Sequence, residues 1–241
     1  MSEVTVHGPL IIRLVARLFP LRQTLPEGTS LEELKRKYLK WERINALEYL
    51  VLAVGNVFAM HAALLAYAAS RTGNDPSAVF TLRPDSEFWY FPAALTGCAI
   101  AGFLVRVLNN LMFPDGAREF RIFSNVNAKF DALRMFAAMG VLCLACGALL
   151  SYFAAMNELV LRQNDMVLHR LWSMHQETYP YSAIAAIKDI HNAQNNTDVF
   201  EIDFAQGQPL STQVELIYFT PAQLAFLVQQ SGKPIQQLAA Q

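Results

Sequence analysis

Three long apolar runs dominate the chain, and each must be covered by something other than water. They cover residues 46–70 ("ALEYLVLAVGNVFAMHAALLAYAAS"), 88–108 (from Phe88-Trp89-Tyr90 to Leu108) and 132–156 ("ALRMFAAMGVLCLACGALLSYFAAM"). A helix needs about 20 apolar residues to cross a bilayer core, and each run is long enough. Of the 241 residues, 54% are hydrophobic and 16% charged. A soluble domain carries roughly 25% charged residues. The apolar excess is concentrated in the three runs, which marks a membrane protein rather than a large soluble core. Ala and Gly recur through all three runs and allow helices or protomers to approach closely. The formal net charge of −1 gives no support to nucleic-acid binding.

The flanks of the runs set an expected orientation. Residues 1–45 carry eight Lys/Arg, and the 109–131 loop carries Arg118, Arg121 and Lys129, with Arg106 and Arg134 at its edges. The 71–87 loop carries only Arg71 and Arg83 beside three acids. The positive-inside rule therefore places the N-terminus and the 109–131 loop in the cytoplasm. With three spans, residues 157–241 fall on the periplasmic or extracellular side.

Residues 8–21, "GPLIIRLVARLFPL", are too short to span and too interrupted by Arg13 and Arg17 to read as a signal peptide. On a helix, Leu10, Leu14, Leu18 and Leu21 share one face with Ile11 beside it, and Arg13 and Arg17 share another. Such a helix either lies in the membrane interface or packs on another part of the protein. Pro20, Pro26 and Gly28 then break the chain. Thr29 or Ser30 caps a basic helix that leads into the first span, with Glu32 and Glu33 in its first turn. Trp41 and Tyr49 suit an interfacial belt. Pro114, Asp115 and Gly116 mark a turn, and "FRIFSNVNAKF" after it reads as an interfacial connector without regular structure.

After Met156 the hydrophobic period changes from helix to strand. "NELVLRQNDMVLHRLW" splits at Gln163-Asn164-Asp165 into two short apolar runs. "DVFEIDF" alternates, with Phe200, Ile202 and Phe204 on one face and Glu201 and Asp203 on the other, as in a half-buried strand. "TQVELIYF", 212–219, reads as a further strand. Thr220, Pro221 and Gln223 supply a capping-box helix start, and Gly232 its stop. In "TYPYSAIAAIKDI", Pro180 cannot donate to a ladder, so Tyr179–Tyr181 belongs at a sheet edge or bend. Ser182 caps one tight turn, and a strand resumes near Ala186. The expectation is five to seven strands and one capping helix.

The succession of "YPYSAIAAIKDI", "VFEIDF", a Gly-containing turn, another strand and a closing helix resembles the small pleckstrin-homology-like domains (YcxB-like and related groups) of bacterial membrane proteins. The resemblance covers about the last 80 residues. It implies a seven-stranded sheet capped by a helix, a bacterial inner-membrane setting, and a role in protein contacts or assembly. It supplies no catalytic residues, and the basic loop of the lipid-binding relatives is missing.

The fold expectation is thus an α+β membrane protein in three parts. Residues 1–45 form a cytoplasmic segment, 46–156 a three-span region, and 157–241 an antiparallel β-sheet module capped by one helix. Glu48, Asn56 and His61 are the candidate intramembrane polar residues, because polar groups are costly in lipid. Glu48 has Lys40, Arg43 or Arg134 as expected ion-pair partners. Tyr179, Pro180 and Tyr181 are the candidate interaction residues. Cys143-x-x-Cys146 lies among apolar residues without a His or acid nearby and reads as helix packing. His169, His175 and His191 are too dispersed for a zinc set. Asn195-Asn196-Thr197 is a formal glycosylation sequon. No cofactor or catalytic set is indicated. The expected partners are membrane lipids and either another protein or a second copy, with no nucleic acid. The leading functional expectation is a non-enzymatic protein that presents its module for interaction or assembly. The alternatives are a transporter or redox-complex subunit using the first-span polar residues, and a membrane-anchored small-ligand sensor.

Overall fold

The computed structural model describes residues 10–25, 28–70, 75–171, 173, 175–192 and 197–239. Pro26, Arg71 and the asparagines of the sequon, all singled out above, lie outside the described residues, as do Gly8 and Pro9. The chain divides into two compact units, Met1–His61 with Ala93–Ala148, and Ala62–Pro92 with Leu149–Gln241.

Among the described residues, three helices are long and apolar enough to cross a membrane: α2 (Leu31–Ser70), α3 (Tyr90–Met112, preceded by a 3-10 turn at Ser86–Trp89) and α5 (Ala132–Met156). The third matches its expected span, and the first is longer than expected. The basic helix and the first span form one continuous helix, because no proline stands between Leu31 and Ser70. A short amphipathic helix, α1 (Leu10–Leu18), precedes them and has no buried residue.

In the first unit the expected irregular connector is instead a helix, α4 (Pro114–Ala128). Pro114 does not make a turn. It occupies the first helical position, where its missing N–H costs nothing and its fixed φ favours the helix. Lys129 ends the helix in the left-handed region, φ 66°. The apolar face of α4 meets the start of α2. Phe123 is fully buried against Leu34 and Tyr38, with Leu25, Trp41 and Phe120 around them. On the rim, Glu119 Oε2 accepts Lys37 Nζ at 2.7 Å and the Tyr38 hydroxyl at 2.6 Å. The chain after α1 is tied to the same place. Asp131 N donates to the Phe19 carbonyl at 2.9 Å, and Asn125 Nδ2 to Gln23 Oε1 at 3.2 Å.

Among the described residues, the second unit contains two four-stranded sheets. One has the order β1-β2-β3-β4, built from β1 (Ala78–Leu82), β2 (Glu158–Arg162), β3 (Asp165–His169) and β4 (Gln176–Pro180), all antiparallel. Its first strand comes from the loop between the first two spans and was not foreseen. The other has the order β7-β6-β5-β8, from β5 (Ile184–Asn192), β6 (Thr197–Phe204), β7 (Leu210–Ser211) and β8 (Ile235–Ala239). The expectation of a purely antiparallel sheet closed by a helix fails at its end. Helix α7 (Pro221–Ser231) is followed by β8, which pairs parallel with β5. Gly232, at φ 65°, ends α7 and lets the chain turn back.

The expected strand at 212–219 is also corrected. Residues Thr212–Glu215 form a one-turn helix, α6. Thr212 and Glu215 are both buried. That spacing of three is a helical one, where a strand would bury alternate residues. Leu216 then takes a left-handed conformation (φ 56°), and Ile217 pairs with Pro84 in an isolated antiparallel bridge.

Leu82, Leu159, Leu161, Met166, Leu168, Ile187, Ile202, Leu210 and Leu227 are among the buried side chains that form one core in this unit. Helix α7 joins it through Leu227 and through Phe226, whose ring meets Phe80 and Tyr181 edge-on. Gln223 holds the start of α7, its Oε1 accepting the Thr220 N–H at 2.7 Å. Gln223→Ala should cost about 1 kcal/mol by losing this bond. Gln223→Glu keeps the acceptor and should not. Thermal unfolding of the full-length protein in detergent distinguishes the two.

Candidate functional site

The stretch "TYPYSAIAAIKDI" folds as a sheet edge, a turn and a returning strand. β4 ends at Pro180, Tyr181–Ala183 make a 3-10 turn, and β5 begins at Ile184. The register slips between Ile184 and Ala186, where an extra residue bends the strand.

The fold itself uses both tyrosines. Tyr181 is buried, and its hydroxyl donates to the Arg162 carbonyl at 2.7 Å. Burial, and then the Asp165 carboxylate, push its pKa up to about 12, so the donor proton stays in place. Tyr179 is half-buried and stacks on Phe204, with centroids 3.9 Å apart and planes 12° apart. Its hydroxyl donates to Glu177 Oε2 at 2.8 Å. Burial and that hydrogen bond raise its pKa as well. Gly207, in a turn at φ 107°, leaves room for the ring, because a Cβ there would lie 2.8 Å from the Tyr179 hydroxyl. Pro180 is exposed, as are Gln176 and Thr178 on the same strand. β4 is the last strand of its sheet, so one side of it pairs with β3 and the other side with no strand among the described residues.

Behind this edge lies a polar cluster that sequence reasoning missed. Arg170 Nε donates to Glu177 Oε2 at 3.1 Å, and Nη1 to Glu215 Oε1 at 3.1 Å. Its Nη1 and Nη2 also reach the carbonyls of Pro209 and Gln208, at 3.1 and 2.7 Å. The other Glu215 oxygen accepts the Leu171 N–H at 2.8 Å. Glu215 is 3% exposed, so its charge is matched inside the protein rather than by water. The acid inside the apolar "VELIYF" was the one trace of this cluster in the sequence. Arg170 is one of four Lys/Arg in residues 157–241 and carries no local signal of its own.

The intramembrane candidates do not come together. Glu48, Asn56 and His61 all lie on α2. Glu48 and His61 are thirteen residues apart, about 20 Å along a helix. Asn56 Nδ2 donates to the Leu52 carbonyl of its own helix at 2.7 Å. Among the described residues Glu48 has no ion-pair partner, and Arg134, one of its expected partners, pairs with Asp131. Near Asn56, α2 meets α3 closely, since a Cβ on Gly97 would lie 2.7 Å from Val57 N. Among the described residues no three His, Cys, Asp or Glu side chains converge on a metal position.

No family model, curated protein or solved structure matches the chain.

Proposed function

We propose that the chain is a non-enzymatic, multi-pass membrane protein whose β-rich unit is a pleckstrin-homology-like module that binds another protein or a second copy through the β4 edge. The observation that carries this reading is the open side of β4. Its backbone groups, with the exposed Gln176, Thr178 and Pro180 along it, offer a partner strand a template. The cluster of Glu177, Tyr179, Arg170 and Glu215 anchors that edge on its inner side. Two small sheets with a helix packed on their common core support the pleckstrin-homology-like assignment. The borrowed strand β1 and the parallel strand β8 are additions to that plan.

Parity supports the membrane path. β1 and β2 pair, so the chain between them crosses an even number of times, and α3 and α5 supply two crossings. The start of α2 packs on α4, which likewise requires an even number, met by α2 and α3. With the positive flanks inside, α4 is cytoplasmic and the β-rich unit periplasmic or extracellular, in a bacterial inner membrane.

A photoreactive amino acid placed at Thr178 in the full-length protein tests the edge. Irradiation of native membranes should give an adduct with a second polypeptide. A strictly monomeric species at Thr178 and at Gln176 alike would overturn the proposal.

A further inference from the structure

We infer that the segment Val214–Tyr218 seats the β-rich unit on the membrane surface, with the Val214 and Tyr218 side chains in the phospholipid headgroup–acyl boundary. The inference rests on the membrane-crossing reading above and adds a contact that the reading does not require.

Two tethers fix the segment to the points where the chain leaves and enters the apolar helices. Asn157, the first residue after α5, is fully buried, and its Nδ2 donates to the Glu215 carbonyl. Pro84, two residues before the 3-10 turn that leads into α3, pairs with Ile217. Residues 215–217 are therefore held at the ends of two candidate spans at once. The aromatic run Phe88-Trp89-Tyr90-Phe91 begins four residues after Pro84, beyond Asp85, Ser86 and Glu87, with Tyr90 43% and Phe91 60% exposed. Aromatic residues of this kind mark the interfacial belt of a span.

The side chains between the tethers are what such a position requires. Val214 is 63% and Tyr218 62% exposed, the highest values for large apolar side chains among the described residues of this unit. Tyrosine suits the boundary, where its ring contacts acyl chains and its hydroxyl contacts water or headgroups. The local backbone supports the display. α6 turns Thr212 and Glu215 inward, and the left-handed Leu216 carries the chain from the helix to the bridge at Ile217. A leucine rarely adopts that conformation, which carries a steric cost. A regular strand over 212–219 would have avoided that cost.

Site-directed nitroxide labelling of the full-length protein tests the seat. Single cysteines are placed at Val214, Tyr218, Thr178 and Val141 in a background with Cys98, Cys143 and Cys146 replaced by alanine. The protein is reconstituted in phosphatidylcholine–phosphatidylglycerol vesicles. Accessibility to oxygen, which concentrates in lipid, is compared with accessibility to a water-soluble nickel chelate. The labels at 214 and 218 should show an oxygen-to-nickel ratio several-fold above that at the exposed strand position 178. Equal ratios would overturn the inference, and so would labels shielded from both reagents, since protein would then cover the segment. The label at Val141, exposed on α5, separates the two readings. A lipid-like ratio at 141 with watery ratios at 214 and 218 removes the seat alone. A watery ratio at 141 removes the membrane crossing as well.

Discussion

Glu215→Ala should lower amide-exchange protection across β3 and β6 by on the order of a hundredfold in the full-length protein. The carboxylate is almost wholly buried and serves two partners, Arg170 Nη1 at 3.1 Å and the Leu171 N–H at 2.8 Å. Breaking a buried pair costs about 3–5 kcal/mol, because the remaining charge cannot find water, and 1.4 kcal/mol is a factor of ten. Arg170 is 13% exposed at its side chain and would keep Glu177 and two carbonyls, which places the loss toward the low end. Glu215→Gln retains an acceptor for Leu171 and loses only the charge, so its effect should be smaller. Hydrogen exchange in detergent reads all three proteins. Protection equal to that of the unsubstituted chain in Glu215→Ala would show that the cluster does not hold the two sheets together.

That cluster shows where sequence reading stops. The three spans were legible because their pattern is repeated over twenty or more residues. The edge, turn and strand of "TYPYSAIAAIKDI" were legible because Pro180 cannot join a ladder on its N–H side. Helix α7 was legible because Thr220, Pro221, Gln223 and Gly232 each act locally. What failed depended on partners distant in the chain. β1 is short, and only its pairing with β2 makes it a strand. "TQVELIYF" alternates well enough for a strand, but the buried hydrogen bonds of Glu215 and of Thr212, whose hydroxyl accepts the Phe200 N–H at 3.0 Å, favour a helical turn. The candidate tyrosines were found for a local reason, and the structure gives them a structural use. Tyr181 is buried and Tyr179 is stacked, which leaves Pro180 and its exposed neighbours as the accessible part of the proposed edge.

Gly97→Ala should destabilise the first unit by about 1–3 kcal/mol, although alanine is the better helix former. A Cβ at Gly97 would lie 2.7 Å from Val57 N, 2.9 Å from Val57 Cα and 3.0 Å from Asn56 C. All three are backbone atoms of α2, so no rotamer change relieves the clash and the two helices must move apart. Neighbouring glycines provide the comparison. A Cβ on Gly102 meets only the Tyr49 ring at 3.8 Å, and on Gly55 or Gly140 it meets nothing within 4 Å. At these three positions alanine should leave the melting temperature unchanged or raise it, since glycine costs about 1 kcal/mol in a helix interior. Melting of the four variants in detergent, followed by size-exclusion chromatography, should therefore single out Gly97. A uniform response would mean that glycine serves helix flexibility throughout. A drop confined to Gly97 would identify the α2–α3 crossing as the contact that fixes the spans, beside the Asn56 amide that turns back to its own helix.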